Sequence, residues 1–304
     1  MLSGDIAVVV FCYKRVEHLM RLLGSLGKCR GIEDLPVFVF SDGPRGDVDS
    51  REVAEVRSLL ATTQLGKSFS VVCREKNMGL AKSVISGVSE TFEKYSKVIV
   101  LEDDLFLAPC FLQYMCTALE TFEEESRVGS VTGFTVPLSF PWSYSEEVYL
   151  TYRASSWSWA TWKSRWDNVD WDVLDFDLLQ SSSRGIEHFN KGGKDLFDML
   201  QASVESKIDS WAVRWAYHHA KQNAYCLHPR WPLVANTGLD GSGEHCAPTD
   251  FFDVFLKDKL PLFNKSLKFD PKIASLLTKY FDRRFEASET PLPFRQLIKK
   301  YIKL

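Results

Sequence analysis

The sequence predicts an α/β fold built on a mostly parallel sheet flanked by helices. Three observations predict it: short apolar runs rich in β-branched residues, helical periodicity in the segments between them, and a polar cluster where each run ends. The runs at residues 6–11, 37–40, 70–73 and 98–101 lack the in-and-out alternation of a half-solvated strand, which suits strands covered on both faces. Between the first two runs, Val16, Leu19, Met20, Leu23 and Leu26 fall on one helical face, and before the fourth run Ala81, Val84, Ile85, Val88 and Phe92 do the same. Asp49 and Glu52 have capping-box spacing ahead of a helix carrying Val53, Val56 and Leu60. Pro109 suits the first turn of a helix carrying Leu112, Met115 and Leu119. The first half therefore reads βαβαβαβα.

Composition narrows the function. The 304 residues carry 37 basic and 40 acidic side chains, a net charge of -3 that offers no field for a nucleic-acid backbone. Seven scattered cysteines, odd in number and without a C-x-x-C pair, argue against a disulfide framework or zinc ribbon and for a reducing cytosol. The apolar run at residue 6 is too short to span a bilayer and lacks a basic leader, so a cytoplasmic chain is expected.

In open α/β sheets ligands bind at the carboxyl ends of the strands. Those ends carry Cys12-Tyr13-Lys14-Arg15, Ser41-Asp42-Gly43-Pro44, residues 74–79, and Glu102-Asp103-Asp104. Three adjacent carboxylates at a strand end are costly without a counter-charge, which a hard divalent cation, Mn²⁺ or Mg²⁺, bridging a diphosphate would supply; the alternative is a solvated acidic turn. Asp42 can accept hydrogen bonds from a base or ribose, although a plain turn explains the same residues. Arg15 and the segment Asn77-Met78-Gly79-Leu80-Ala81-Lys82 bring cations and a backbone approach at a helix start, both suited to phosphate; Lys82 equally fits an exposed helix position.

From about residue 137 the alternation stops. Trp157, Trp159, Trp162, Trp166 and Trp171 crowd one stretch, in which at least half should serve the core while Trp157 and Trp159 are candidates to line an acceptor site. A helical pattern resumes at residues 208–222, followed by a glycine-rich loop at 236–245.

These motifs resemble the GT-A glycosyltransferases, with their Rossmann-like nucleotide-sugar-binding sheet, and within them inverting enzymes of the N-acetylglucosaminyltransferase I type and bacterial O-antigen or capsule glycosyltransferases. The resemblance rests on the residues after the first strand (Phe11 to Arg15), Ser41-Asp42-Gly43, Asn77-Met78-Gly79-Leu80 and Leu101-Glu102-Asp103-Asp104; it spans the first 135 residues and continues loosely to about 250. It implies a nucleotide-diphosphate sugar donor, UDP-linked by expectation, bound by Cys12, Tyr13, Arg15, Asp42, Asn77, Gly79 and Lys82. Glu102 and Asp103 would contact the donor's sugar and ribose, Asp104 would ligate the metal, and His245 in the late glycine-rich loop would be a second ligand. It further implies that Asp209, in Lys207-Ile208-Asp209-Ser210-Trp211, is the catalytic base; a helix cap explains the same residue.

The expected organisation is a catalytic domain over residues 1–270, divided at 135 into donor and acceptor halves, and a helical tail over 271–304. Residues 294–304 form a basic amphipathic pattern that fits either packing on the body or peripheral contact with the inner membrane face, where a lipid-linked glycan acceptor would lie. Two competing functions share some of these features. A nucleotidyltransferase uses a similar sheet, but with a glycine-rich basic loop after the first strand where this chain has Cys12-Tyr13-Lys14-Arg15. A noncatalytic carbohydrate-binding protein would use the tryptophans and leave the carboxylates without a role.

Overall fold

A computed structural model describes residues 5–241 and 249–289. His245 and the segment 294–304 lie outside the described residues.

The chain opens with β1 (Ile6–Cys12), α1 (Val16–Leu26), β2 (Pro36–Ser41), α2 (Asp47–Thr62), β3 (Ser68–Cys73), α3 (Leu80–Thr91) and β4 (Lys97–Glu102). This is the expected alternation. β1 is buried along its whole length because it sits between β2 and β4, parallel to both, with helices on each face. β3 pairs with β2 at the sheet edge and is half solvated, so its apolar run is less enclosed than the sequence suggests. A short strand β5 (Leu105–Leu107) precedes α4 (Phe111–Thr121), which Pro109 introduces.

The second half adds β6 (Val128–Thr132), β7 (Val148–Thr151), β8 (Trp159–Trp162) and, after the helices α5 (Lys163–Trp166), α6 (Phe176–Gln180), α7 (Ser183–Phe189), α8 (Leu196–Val204) and α9 (Trp211–Lys221), strand β9 (Tyr225–Pro229). These four strands join the same sheet, whose order is β3-β2-β1-β4-β8-β6-β9-β7; β8 lies antiparallel to β4 and to β6, whereas β6 and β9 are parallel. Strand β10 (Val234–Asn236) pairs antiparallel with β5 in a separate two-stranded ribbon. The last described element, α10 (Pro271–Glu289), packs back on the body through buried Ile273, Ala274 and Leu277.

Two expectations are corrected here. Asp49 is not a capping-box residue: α2 starts at Asp47, and the Asp49 carboxylate turns inward to accept hydrogen bonds from the Tyr13 hydroxyl and the Arg45 N–H. Trp159 is fully buried on β8, packed among Trp166, Trp211 and Trp215 with ring centroids 4.9 to 6.0 Å away, and is a core residue.

The chain runs from β1 outward to β2 and β3, then returns to place β4 on the other side of β1. Strand order thus reverses between β1 and β4, and the crevice outside their carboxyl ends is where such sheets bind ligands. The registers Phe11↔Glu102 and Cys12↔Ser41 bring the ends of β1, β2 and β4 to one level.

Candidate functional site

A cavity of about 850 Å³ opens at that level, within the range of small-molecule sites. Cys12, Tyr13, Arg15, Asp42, Asn77, Gly79, Glu102, Asp103, Asp104, Trp157 and Asp209 all line it. Lys82 and Trp159 do not: Lys82 is exposed on α3, and Trp159 is in the core. A second hollow of about 400 Å³, bounded by Tyr144, Glu146, Lys268 and Asp270, gathers none of these groups.

The floor is built by side chains that bind each other's loops. Asp42 Oδ1 accepts from the Gly43 and Met78 amides at 2.8 and 2.9 Å. Asn77 donates to the Gly43 carbonyl at 3.0 Å and accepts from the Gly79 amide at 3.1 Å. Both residues therefore fix the shape of the β2 and β3 loops as well as facing the cavity. Tyr13 is tethered through its hydroxyl to Asp49, its ring lies under the Arg45 guanidinium at 5.6 Å, and burial with the Asp49 contact pushes its pKa up to about 12. The Cys12 thiol points to the Phe40 carbonyl, and burial raises its pKa well above the usual range, so it contributes wall rather than a nucleophile.

Two carboxylates of the acidic triplet, Asp103 and Asp104, pair with Arg15. Arg15 Nη2 reaches Asp103 Oδ1 and, at 2.9 Å, Asp104 Oδ2, with the Arg15, Asp103 and Asp104 side chains only 21%, 6% and 13% exposed. Burial works against the Arg15 charge, but Asp103 and Asp104 outweigh it and raise its pKa. Burial raises the Glu102 pKa, and the charges of Asp104 and Asp103 add to the shift. Burial also raises the Asp103 pKa, against the pull of Arg15.

Asp104 Oδ1 is buried and makes no hydrogen bond among the described residues. Its neighbour loop is fixed in place, since both the amide and the hydroxyl of Thr237 donate to the Asp104 carbonyl, at 2.7 and 2.9 Å. A side chain at Gly238 would have its Cβ 2.3 Å from Asp104 Oδ2 and 2.8 Å from Arg15 Nη1, so only glycine lets the loop close on this pair. Among the described residues, no three His, Cys, Asp or Glu side chains form a ready-made metal cage. A carboxylate with a buried, unpaired oxygen nonetheless suits a hard cation that takes its other ligands from phosphate and water.

Asp209 enters from the opposite half of the chain. Ser210, not Asp209, caps α9 through a side-chain contact with the Val213 amide. Asp209 is exposed to the cavity and lies across the start of α3, where Oδ2 accepts from the Ala81 amide at 3.3 Å. Gly79, at φ +79°, leaves room for it: a Cβ there would stand 2.7 Å from Asp209 Oδ2.

Sequence reasoning missed the far wall. Arg153 makes a two-pronged pair with Asp195, both contacts 2.8 Å, and lies 4.0 Å over the Phe281 ring of α10. Phe134, Trp157 and Phe252 form an edge-to-face aromatic group beside them. Only Trp157 carried a sequence signal.

No family model matches the chain, and no curated protein sequence matches it. Among solved structures, it is similar to Staphylococcus aureus TarS at 18% identity and a TM-score of 0.36, covering 55% of this chain and 30% of that one. It is also similar to the mannosyltransferase PcManGT from Pyrobaculum calidifontis, solved in complex with GDP-Man and Mn²⁺, at 12% identity and a TM-score of 0.36, covering 63% of this chain and 54% of that one. The chain thus spans less than two thirds of either protein. No helix among the described residues is long and apolar enough to cross a membrane.

Proposed function

We propose that this chain is a GT-A glycosyltransferase that moves a sugar from a nucleotide-diphosphate donor, by expectation a UDP-sugar, to a glycan acceptor with inversion at the anomeric carbon. One observation carries it: Arg15, the acidic triplet and Asp209, from loops far apart in the chain, line a single cavity at the strand-order reversal. A carbohydrate-binding protein has no need of a carboxylate pair and an opposed carboxylate in one crevice.

In this mechanism the donor diphosphate lies over Arg15 and Asp104, and the acceptor enters along the Arg153, Trp157 and Phe281 wall. The acceptor hydroxyl oxygen attacks the anomeric carbon while the bond from that carbon to the diphosphate oxygen breaks. Asp209 takes the hydroxyl proton, and the leaving nucleoside diphosphate keeps the electron pair. Arg15 offsets the charge that develops on it. Asp104 would hold Mn²⁺ or Mg²⁺, which when bound supplies Lewis-acid stabilisation of the leaving group. The bacterial surface-polysaccharide setting rests on the resemblance of the sequence motifs alone.

The test is calorimetric binding of UDP, GDP, CDP and their sugar conjugates, with Mn²⁺ and with chelator, to the wild type and Asp104→Ala. Metal-dependent binding of one nucleotide, lost in the variant, supports the proposal and names the base. No binding of any nucleotide refutes it.

A further inference from the structure

Arg15 and a metal ion have claims on the same carboxylate. Arg15 engages Asp104 at Oδ2 and Asp103 at Oδ1, and the buried, unpaired Asp104 Oδ1 belongs to the same side chain. The ion pair is largely enclosed: the Arg15, Asp103 and Asp104 side chains are only 21%, 6% and 13% exposed, and Gly238 closes on both Asp104 and Arg15. A divalent cation entering this enclosure alone would stand beside a fixed guanidinium in a weakly screened environment, where like charges repel most strongly. A diphosphate changes the balance, because it offers the guanidinium new oxygen partners and itself ligates the cation.

We propose that Arg15 makes metal and nucleotide binding interdependent, holding the Asp103 and Asp104 carboxylates against bare metal until a diphosphate draws the guanidinium away. The inference rests on the glycosyltransferase function proposed above. Linkage makes the coupling reciprocal, so bound Mn²⁺ should tighten nucleotide binding by the same factor by which bound nucleotide tightens Mn²⁺ binding.

The experiment measures Mn²⁺ binding by the loss of the free-ion electron paramagnetic resonance signal, with Mn²⁺ alone and with saturating UDP or GDP, in the wild type, Arg15→Met and Arg15→Lys. In the wild type the nucleotide should tighten Mn²⁺ binding at least about 10-fold, a usual size for coupling between sites. Arg15→Met should bind Mn²⁺ alone at least about 10-fold more tightly than the wild type and show a correspondingly smaller nucleotide effect, what remains being direct ligation of the cation by the diphosphate. Arg15→Lys keeps a charge of the same sign, so it should restore weak metal-only binding even if Arg15→Met folds poorly, which circular dichroism reports. Metal-only binding in Arg15→Met no tighter than in the wild type, with the fold intact, overturns the proposal. So does a wild type that binds Mn²⁺ equally with and without nucleotide. If no nucleotide brings Mn²⁺ to any of the three proteins, the glycosyltransferase function falls and this inference with it.

Discussion

Gly79 joins the two halves of the site, and replacing it with alanine separates backbone strain from side-chain geometry. The residue has φ +79° and ψ 164°, a region that side-chain-bearing residues occupy at a cost of about 1–3 kcal/mol. The added methyl would also meet Asp209 Oδ2 at 2.7 Å, closer than van der Waals contact permits, so the carboxylate must move off the start of α3. We expect Gly79→Ala to be destabilised by about 1–3 kcal/mol through strain, with a further clash contribution. A displacement of Asp209 on the order of 1 Å should lower kcat by roughly 10²-fold. The assay is a double-mutant cycle by urea unfolding, with Gly79→Ala made in the wild type and in Asp209→Ala. Deleting the carboxylate removes the clash, so Gly79→Ala should cost less there, with a coupling of about 0.5–3 kcal/mol. Equal costs in the two backgrounds would refute the idea that Gly79 is small because of Asp209.

The remaining predictions address the base, the far wall and the buried imidazoles. Asp209→Asn should lower transfer at least about 10²-fold while leaving nucleotide affinity within threefold, measured by product formation and calorimetry; near-normal turnover would remove Asp209 from the role of base. Arg153→Met takes the guanidinium from a largely buried Asp195 and should cost about 2–4 kcal/mol, with a raised acceptor KM and an unchanged nucleotide Kd. A weakened nucleotide Kd would place Arg153 on the donor side instead. His219 is fully buried, and burial, with His218 adding, lowers its pKa to about 3. The unfolded chain therefore binds more protons than the native state at this residue between about pH 6.5 and 3, and its contribution to stability is present above that window and lost as pH falls through it. The cost of His219→Gln should accordingly shrink by about 1.4 kcal/mol per pH unit from pH 6 to 4, and a pH-independent cost would show that His219 titrates in the fold as it does in the unfolded chain.

The donor half was legible because it is encoded locally. A parallel strand buried on both faces needs a continuous apolar run, its crossover helix needs an apolar stripe, and the strand's end must be where the polar cluster begins, so β1, β2 and β4 and the residues after them are read directly, while the half-solvated edge strand β3 shows only a short apolar run. Four strands of the second half left little trace, since β7 and β8 are four residues each and enclosed, too short to show any period. Composition also failed to sort the tryptophans. An indole that packs on Trp211 and one that faces the cavity occupy the same kind of sequence; Trp159 lies in β8 and packs inward, whereas Trp157 precedes the strand, across Ser158 at φ 56°, and lines the cavity.

What sequence could not supply is which charged groups pair. Asp49 and Glu52 have the spacing of a cap, yet Asp49 is used to hold Tyr13. Three carboxylates in a row point to a metal cation, and nothing in the sequence signals that the chain also brings its own charge to two of them, Arg15, 88 and 89 residues from Asp103 and Asp104. The Arg153–Asp195 pair and the Asp209 contact with α3 are likewise made across 42 and 128 residues. Each of these pairings depends on which elements the sheet order makes neighbours, and strand order is a property of the whole chain. This has a consequence for the chemistry. Arg15 already pairs with Asp103 and Asp104, so the fold does not call on a metal to hold those two carboxylates; Asp104→Asn, which keeps one oxygen to accept from Arg15 and puts an amide nitrogen in place of the unpaired oxygen, should leave the sheet and Asp209 in place. Metal affinity and fold stability are therefore separable here, and a metal-binding defect in that variant can be assigned to the site.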